Sequence, residues 1–382
     1  MAGTGGDRVI VHLLSVLDRG GLEVRMLEVL SALDLRGLRV VVCTLSGRRG
    51  ELARAYEAAG AEVHPMRLSS PAFAWRLWRL MRGLRAEVVA SHLHYSSGPM
   101  LALAWLAGVP TRIAHFHSDS HGHAHASRLR LAYYAVAKWL ILRAATDVVG
   151  VAPSSLSANW SEVARNDPRF RILPNGVDLD RIAPPQTATL RSELGVATKS
   201  PLIVHIGRAD IPTKNRELAV DVLRCAIDAG LGATLAFVGR HGDDPESVAR
   251  HDRLLARIED YGLAGRVIIA GERSDIGAIL HESDVLLSTS KLEGLPGSVL
   301  EACACGLPVV SSDVPGAVFI AEQLDGVTIV SQDSPPDHWV EALVEALKRA
   351  GKDEREARRK QFAASAFSLQ TLLCGYQELW RC

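Results

Sequence analysis

The amino-acid sequence predicts an α/β protein made of two doubly wound, Rossmann-like domains facing across a cleft. Three observations predict it. Short β-branched runs alternate with segments of helical apolar spacing along most of the 382 residues, which is the pattern of a parallel sheet covered on both faces. The alternation stops once, at "FRILPNGVDLDRIAPP" (170–185), where prolines and an Asn-Gly turn interrupt it, and then restarts. The length suits two domains better than one.

In chain order, "RVIVHLL" (8–14) reads as a buried strand. A helix follows from about Leu22, with Met26, Val29, Leu30 and Leu33 at helical spacing. Strands at 39–45, 62–66, 87–92, 112–116 and 147–151 then alternate with helices near 50–59, 72–85, 98–107 and 127–144. Beyond the break, "PLIVHIGR" (201–208), "ATLAFVG" (233–239), "RVIIAG" (266–271), "DVLLST" (284–289), "PVVSSD" (308–313) and "VTIV" (327–330) repeat the theme. The expected domains are 1–176 and 177–365, with a helix at about 366–382 packing back on the first. Ligands in such sheets bind at the carboxyl ends of the strands, so the site is expected in the cleft between the domains.

Composition narrows the function. The chain is 48% apolar and 23% charged, as in an ordinary globular protein. Its 43 basic and 43 acidic residues cancel, so no nucleic-acid partner is expected. The six cysteines are scattered without a C-x-x-C pair, which argues against a zinc or redox framework. "MAGTGGDRVIVHLL" lacks the layout of a signal peptide, and no apolar run reaches membrane-spanning length; a soluble, cytoplasmic protein is expected. There is no G-x-G-x-x-G after the first strand and no G-x-x-x-x-G-K-[ST], so the dinucleotide oxidoreductase and P-loop fingerprints are missing.

The most informative stretch is "STSKLEGLPGSVLEACACGLPVVSSDVPG" (288–316). A strand ends near Thr289, a loop carries Glu293, Gly294, Leu295, Pro296 and Gly297, and a helix starts near Ser298 and contains Glu301. Amides at that helix start suit an anion. A carboxylate one turn in can accept two hydrogen bonds from a vicinal diol such as a ribose. Glu293 could grip a second hydroxylated group beside the anion. Taken alone, a helix cap followed by a surface glutamate would look the same.

The spacing E-x(7)-E, with Gly-Leu-Pro inside it and Ala-x-x-x-Gly-x-Pro-Val-Val behind it, resembles the signature of retaining glycosyltransferases of group 1, family 4, which have the GT-B fold. The resemblance implies that Glu301 holds the ribose of a sugar nucleotide. It implies that Glu293 holds hydroxyls of the donor sugar, and that the backbone of Gly294, Leu295, Pro296, Gly297 and Ser298 contacts sugar and diphosphate. In "HIGRADIPTKN" (205–215) it assigns Arg208 and Lys214 to a diphosphate clamp. Two cations there would stabilise the charge that gathers on the departing diphosphate, with no metal needed. In "SVLDRGGLEVR" (15–25) it assigns Gly20 and Gly21 to close approach of the donor; a plain tight turn is the other reading, because the residues after the glycines match only approximately. In "AGERSDIGAILHESD" (270–284) it gives Arg273 a place beside the base.

The same resemblance orders a histidine cluster. "TRIAHFHSDSHGHAHAS" (111–127) carries His115, His117, His121, His123 and His125. His117, just past the fifth strand, is expected to contact the sugar and orient the acceptor hydroxyl, with Asp119 as its neighbour. His115 is expected to pack in the strand. The catalytic set is therefore His117, Asp119 and Glu293, with no cofactor and no metal. "DLD" (Asp178, Asp180) looks like a metal-binding D-x-D but reads as linker.

The implied reaction is retaining transfer of a sugar from a nucleotide sugar, taken as UDP-linked, to a hydroxyl of a polysaccharide or glycolipid intermediate or a natural product. The first domain would bind the acceptor and the second the donor. The alternatives are a nucleotide-sugar epimerase or hydrolase of the same architecture, and a metal-dependent enzyme centred on the histidines. In "PAFAWRLWRLMRGLRAE" (71–87), Phe73, Leu77, Leu80, Met81 and Leu84 form a core face, while Trp75 and Trp78 lie among Arg79, Arg82 and Arg85. That second face fits packing on a neighbouring helix or peripheral contact with the inner face of a membrane.

Overall fold

The computed structural model describes residues 7–118, 127–187, 189–197 and 200–381. The chain divides into two compact units, Met1–Asn175 with Leu369–Cys382, and Gly176–Ser368.

In the first unit seven parallel strands, β1 (Arg8–Leu14), β2 (Leu38–Thr44), β3 (Ala61–Pro65), β4 (Val88–Ser91), β5 (Thr111–Phe116), β6 (Asp147–Gly150) and β7 (Phe170–Ile172), lie in the order β3-β2-β1-β4-β5-β6-β7. Strand β1 shows why both faces are covered. Successive side chains point to opposite faces, so Val9, Val11 and Leu13 join one buried cluster and Ile10 and Leu14 join the other. The helix Leu369–Trp380 closes the second cluster with Leu372, Tyr376, Leu379 and Trp380. One polar side chain, His12, sits on that apolar face and is fully buried.

In the second unit six parallel strands, β8 (Leu202–Ile206), β9 (Thr234–Val238), β10 (Val267–Gly271), β11 (Val285–Ser288), β12 (Val309–Ser312) and β13 (Val327–Val330), lie in the order β10-β9-β8-β11-β12-β13. Ile203, Leu235, Phe237, Val285, Leu287, Val310 and Trp339 are among its buried core. Each sheet reverses its winding once, between β1 and β4 and between β8 and β11. The carboxyl ends of strands at such a reversal are where ligands of doubly wound sheets sit.

The chain departs from the sequence expectations in its short elements. The interruption at 170–185 hides β7, three residues long, ahead of Pro174. Short helices at Pro153–Ser157, Glu162–Arg165 and Leu190–Glu193 also escape periodicity reading, which needs more than one turn to register. Residues 366–368 stay with the second unit, because Val177 donates its amide to the Phe367 carbonyl at 3.0 Å. Among the described residues no helix is long and apolar enough to cross a membrane. On the helix Phe73–Leu84, Phe73, Leu77 and Met81 are buried. Trp78 Nε1 donates to the Leu106 carbonyl at 3.4 Å, so that indole packs on a neighbouring helix. Trp75 is exposed, with the Arg79 guanidinium 5.1 Å above its ring.

Candidate functional site

The second unit gathers the donor-side candidates at the ends of β8, β10 and β11. Beyond β8 the chain makes the turn Gly207–Arg208 and a short 3-10 helix, Pro212–Lys214. Asn215 follows in the left-handed conformation (φ 52°), which Asn tolerates better than most residues. That loop is tied to the one after β11. His205 Nε2 lies 3.1 Å from Thr289 Oγ1, Thr289 Oγ1 donates to the Asn215 carbonyl at 2.8 Å, and the Lys291 amide donates to the Thr213 carbonyl at 2.7 Å. Burial, then the nearby Arg216, lowers His205 to about 3. It is a neutral structural imidazole at pH 7.

Across this tie Lys214 Nζ and Glu293 Oε1 form an ion pair with both side chains mostly buried. Ser290 Oγ donates a further hydrogen bond to Glu293 Oε1 at 2.9 Å. The aliphatic stem of Lys214 lies against Gly207, where an added Cβ would meet Lys214 Cδ at 2.9 Å. Arg208 donates from Nε to Asp210 Oδ1 at 3.0 Å. This bond holds the Asp210 carboxyl below its usual range and raises Arg208.

Pro296 caps the helix Gly297–Ala304 and begins it without a side-chain cap bond, so the first amides remain open to a ligand. Glu301 lies on that helix. Its Oε1 accepts from Arg181 Nη2 at 2.6 Å, and its side chain is largely buried. The loop Gly294–Pro296 is braced from behind by the helix Pro315–Ala321, whose second residue is Gly316. A Cβ on Gly316 would meet the Gly294 carbonyl oxygen at 2.1 Å and Leu295 Cα at 3.0 Å. Gly316→Ala is therefore expected to displace this loop. Overpacking of this kind costs about 1–3 kcal/mol. UDP affinity measured by calorimetry should fall at least roughly tenfold while the circular dichroism stays native. Unchanged affinity would mean that the loop carries no donor contact.

The other candidates are placed less tightly. Arg273, past β10, donates from Nε to Asp275 Oδ1 at 2.8 Å and from Nη2 to Glu193 Oε2 at 3.2 Å. Asp178 accepts the Asp180 amide at 2.9 Å in a local turn.

In the first unit Gly20 precedes the helix Gly21–Ala32. A Cβ there would meet Glu23 Oε2 at 2.3 Å, whereas nothing lies within 4 Å of one on Gly21. The Glu23 side chain thus folds back over the helix start against Gly20, and burial pushes that carboxyl up. His117 follows β5 directly, and His115 within β5 is buried as expected. Asp119, His121, His123 and His125 lie outside the described residues.

Sequence reasoning missed four contributors. Asp210 and Arg181 pair with predicted site residues; nothing local in the sequence connects Arg181 with Glu301, 120 residues on. His12 and His92 converge on His117. His92 Nε2 lies 3.0 Å from His12 Nδ1, and His92 Nδ1 lies 2.9 Å from His117 Nε2. Their only signal was position: each sits at or near the carboxyl end of a strand adjacent to the winding reversal.

Two family profiles match the chain: one described as "Glycosyl transferases group 1" over residues 200–349 and one described as "Glycosyltransferase Family 4" over residues 19–181. The chain is 26% identical over 306 residues to a capsular polysaccharide biosynthesis glycosyltransferase, CapH, of Staphylococcus aureus, covering 80% of this chain and 81% of that protein. It is 30% identical over 276 residues to the UDP-Gal:alpha-D-GlcNAc-diphosphoundecaprenol alpha-1,3-galactosyltransferase of Escherichia coli, covering 70% and 68%. The solved structure of HepE from Anabaena in complex with UDP superposes with a TM-score of 0.82 at 18% identity, over 97% of this chain and 98% of that one.

Proposed function

The chain belongs to the group 1, family 4 glycosyltransferases and has their GT-B fold, and from that premise we propose that it transfers a sugar from a UDP-sugar to an acceptor hydroxyl with retention of anomeric configuration, without a metal. The observation that carries this reading is the Lys214–Glu293 pair beside an open helix start with Glu301 one turn further on. These groups match the parts of a nucleotide sugar in order: sugar hydroxyls, diphosphate, ribose.

Each charged donor-side candidate already has an opposite charge beside it: Arg208 has Asp210, Lys214 has Glu293, Arg273 has Asp275, and Glu301 has Arg181. Donor binding exchanges these partners. The diphosphate takes Lys214 and Arg208, which frees Glu293 for the sugar hydroxyls. Glu301 accepts from the ribose diol and Arg181 keeps it oriented. As the sugar–oxygen bond breaks, charge gathers on the leaving diphosphate. The two cations, held in a partly desolvated site, stabilise the transition state more than the ground state. The acceptor hydroxyl attacks from the same face as the sugar–oxygen bond breaks and passes its proton to the departing diphosphate oxygen, while His117 contacts the sugar and orients that hydroxyl.

The proposed acceptor is a lipid-linked glycan intermediate. The names of the relatives from S. aureus and E. coli support it, as do the exposed Trp75, Trp105 and Trp139 of the first unit. Guanidinium groups of Arg79 and Arg143 stack over two of these indoles, the mixture that favours a membrane interface.

Added UDP is expected to raise the melting temperature. At about a hundred times its Kd a ligand adds about 2.7 kcal/mol, readily visible by scanning calorimetry. If no nucleotide shifts the melt, the donor assignment is wrong.

A further inference from the structure

His12 on β1, His92 just after β4 and His117 just after β5 come from strands that are neighbours in the sheet. Their rings meet edge to edge. The His12 and His92 centroids are 5.3 Å apart with planes 21° apart, and those of His92 and His117 are 5.2 Å and 28° apart. With nitrogen separations of 3.0 and 2.9 Å, the three imidazoles form one hydrogen-bonded ribbon. It runs from the buried core beside Trp380 to the residue expected at the substrate. His115 lies face to face with the middle ring, at 4.4 Å and 15°.

His92, His115 and His117 also offer nitrogen atoms within 4.8 Å of one another, which raises the question of a metal. A ligating imidazole must aim an in-plane lone pair at an ion about 2.0–2.1 Å away. Here the facing nitrogens of His92 and His117 are taken up by a hydrogen bond to each other, one as N–H and one as lone pair, and the His115 plane runs alongside that of His92. The arrangement is built for ring-to-ring hydrogen bonds.

A neutral imidazole has one N–H and one lone pair, so the ribbon admits two polarities. In one, His117 donates from Nε2 to His92, His92 donates to His12, and His12 Nε2–H ends the ribbon. That nitrogen is buried and has no partner among the described residues, and an orphaned buried N–H is the costlier defect. In the other polarity His12 donates from Nδ1, His92 donates from Nδ1, and His117 Nε2 accepts. His12 Nε2 then carries only a lone pair.

We propose that His92, backed by His12, is a positioning residue that locks His117 as the Nδ1–H tautomer, so that His117 serves as a neutral hydrogen-bond donor to the sugar or the attacking hydroxyl rather than as a base. The inference rests on the role given to His117 above. Among the described residues, the titratable groups facing the ribbon are His94 in the turn His94–Ser96, His115 on β5 and Tyr376 on the C-terminal helix. None of these supplies a negative charge that would favour an imidazolium; Asp119 lies outside the described residues. Burial in turn lowers His12 and His117 to about 4, and burial with the neighbouring histidines lowers His92 and His115 well below the usual range.

Nitrogen-15 chemical shifts of the full-length protein, with His117 assigned through H117A, read the tautomer directly. Wild type is expected to show Nδ1–H at His117. His92→Phe should give Nε2–H or a mixture, and His92→Asn, whose amide nitrogen replaces Nδ1, should restore Nδ1–H. In turnover His92→Phe should lower kcat about tenfold to a hundredfold, the size of one lost buried hydrogen bond. KM for the donor should stay within about twofold, and His92→Asn should recover most of kcat. The wild-type profile of kcat/KM should show no acid limb near the ordinary histidine value of about 6.5. Should His92→Phe not fold, His12→Leu provides the same readout. An Nε2–H wild type, a tautomer indifferent to both variants, or a limb near 6.5 that disappears in H117A would overturn the inference and leave the transferase reading standing. A locked Nδ1–H tautomer in an enzyme whose H117A variant turns over normally would instead remove His117 from the reaction.

Discussion

Lys214→Ala is expected to lower kcat/KM by roughly 10²–10³-fold, the loss typical of one preorganised group at a developing negative charge. Among the described residues the side chain pairs with Glu293, and that partner is itself assigned to the sugar. The substitution therefore acts twice. It removes a cation from the diphosphate and releases Glu293 from the position in which Ser290 and Lys214 hold it. UDP affinity should weaken as well, because part of the interaction exists before the transition state. In a cycle with Glu293→Ala the two losses should be non-additive, since the residues touch. Additive losses in steady-state kinetics would mean that the pair is only a surface ion pair, worth about 1 kcal/mol or less.

His117→Ala should reduce kcat about 10²-fold or more while the UDP dissociation constant, from calorimetry, stays within about twofold. The reason is placement: His117 belongs to the first unit, whereas the charged residues assigned to the nucleotide, Arg208, Lys214, Arg273 and Glu301, belong to the second. His121→Ala is the informative control. If it abolished turnover and His117→Ala did not, the residue presented to the substrate would lie further along the histidine-rich stretch than the end of β5 indicates.

Much of the fold was legible because the buried parallel strands are long β-branched runs. "RVVVCTL" and "DVLLST" have few alternatives to a core strand. Strand β7 was not, since "FRI" is short, half-exposed and followed at once by "LPNG". In the site, Glu293 and Glu301 stood out because one loop and helix fix their spacing, and Arg208 and Lys214 because one loop after β8 carries both; the family resemblance supplied the roles of all four. Arg181 and His92 were invisible, because their meaning depends on partners brought together by strand order. His12 looked like one polar residue in an apolar strand until β4 and β5 were placed beside it. The five-histidine stretch divides in the structure. His115 is core and His117 ends the ribbon.

The central claim is sugar transfer, and product analysis tests it most directly. The full chain would be incubated with a panel of UDP-sugars, with and without lipid-linked glycan acceptors, and followed by mass spectrometry. The account predicts an acceptor heavier by one sugar residue, with UDP released in equal amount and only when acceptor is present. UDP release with free sugar and no acceptor gain, or a rearranged UDP-sugar with no UDP released, would contradict it.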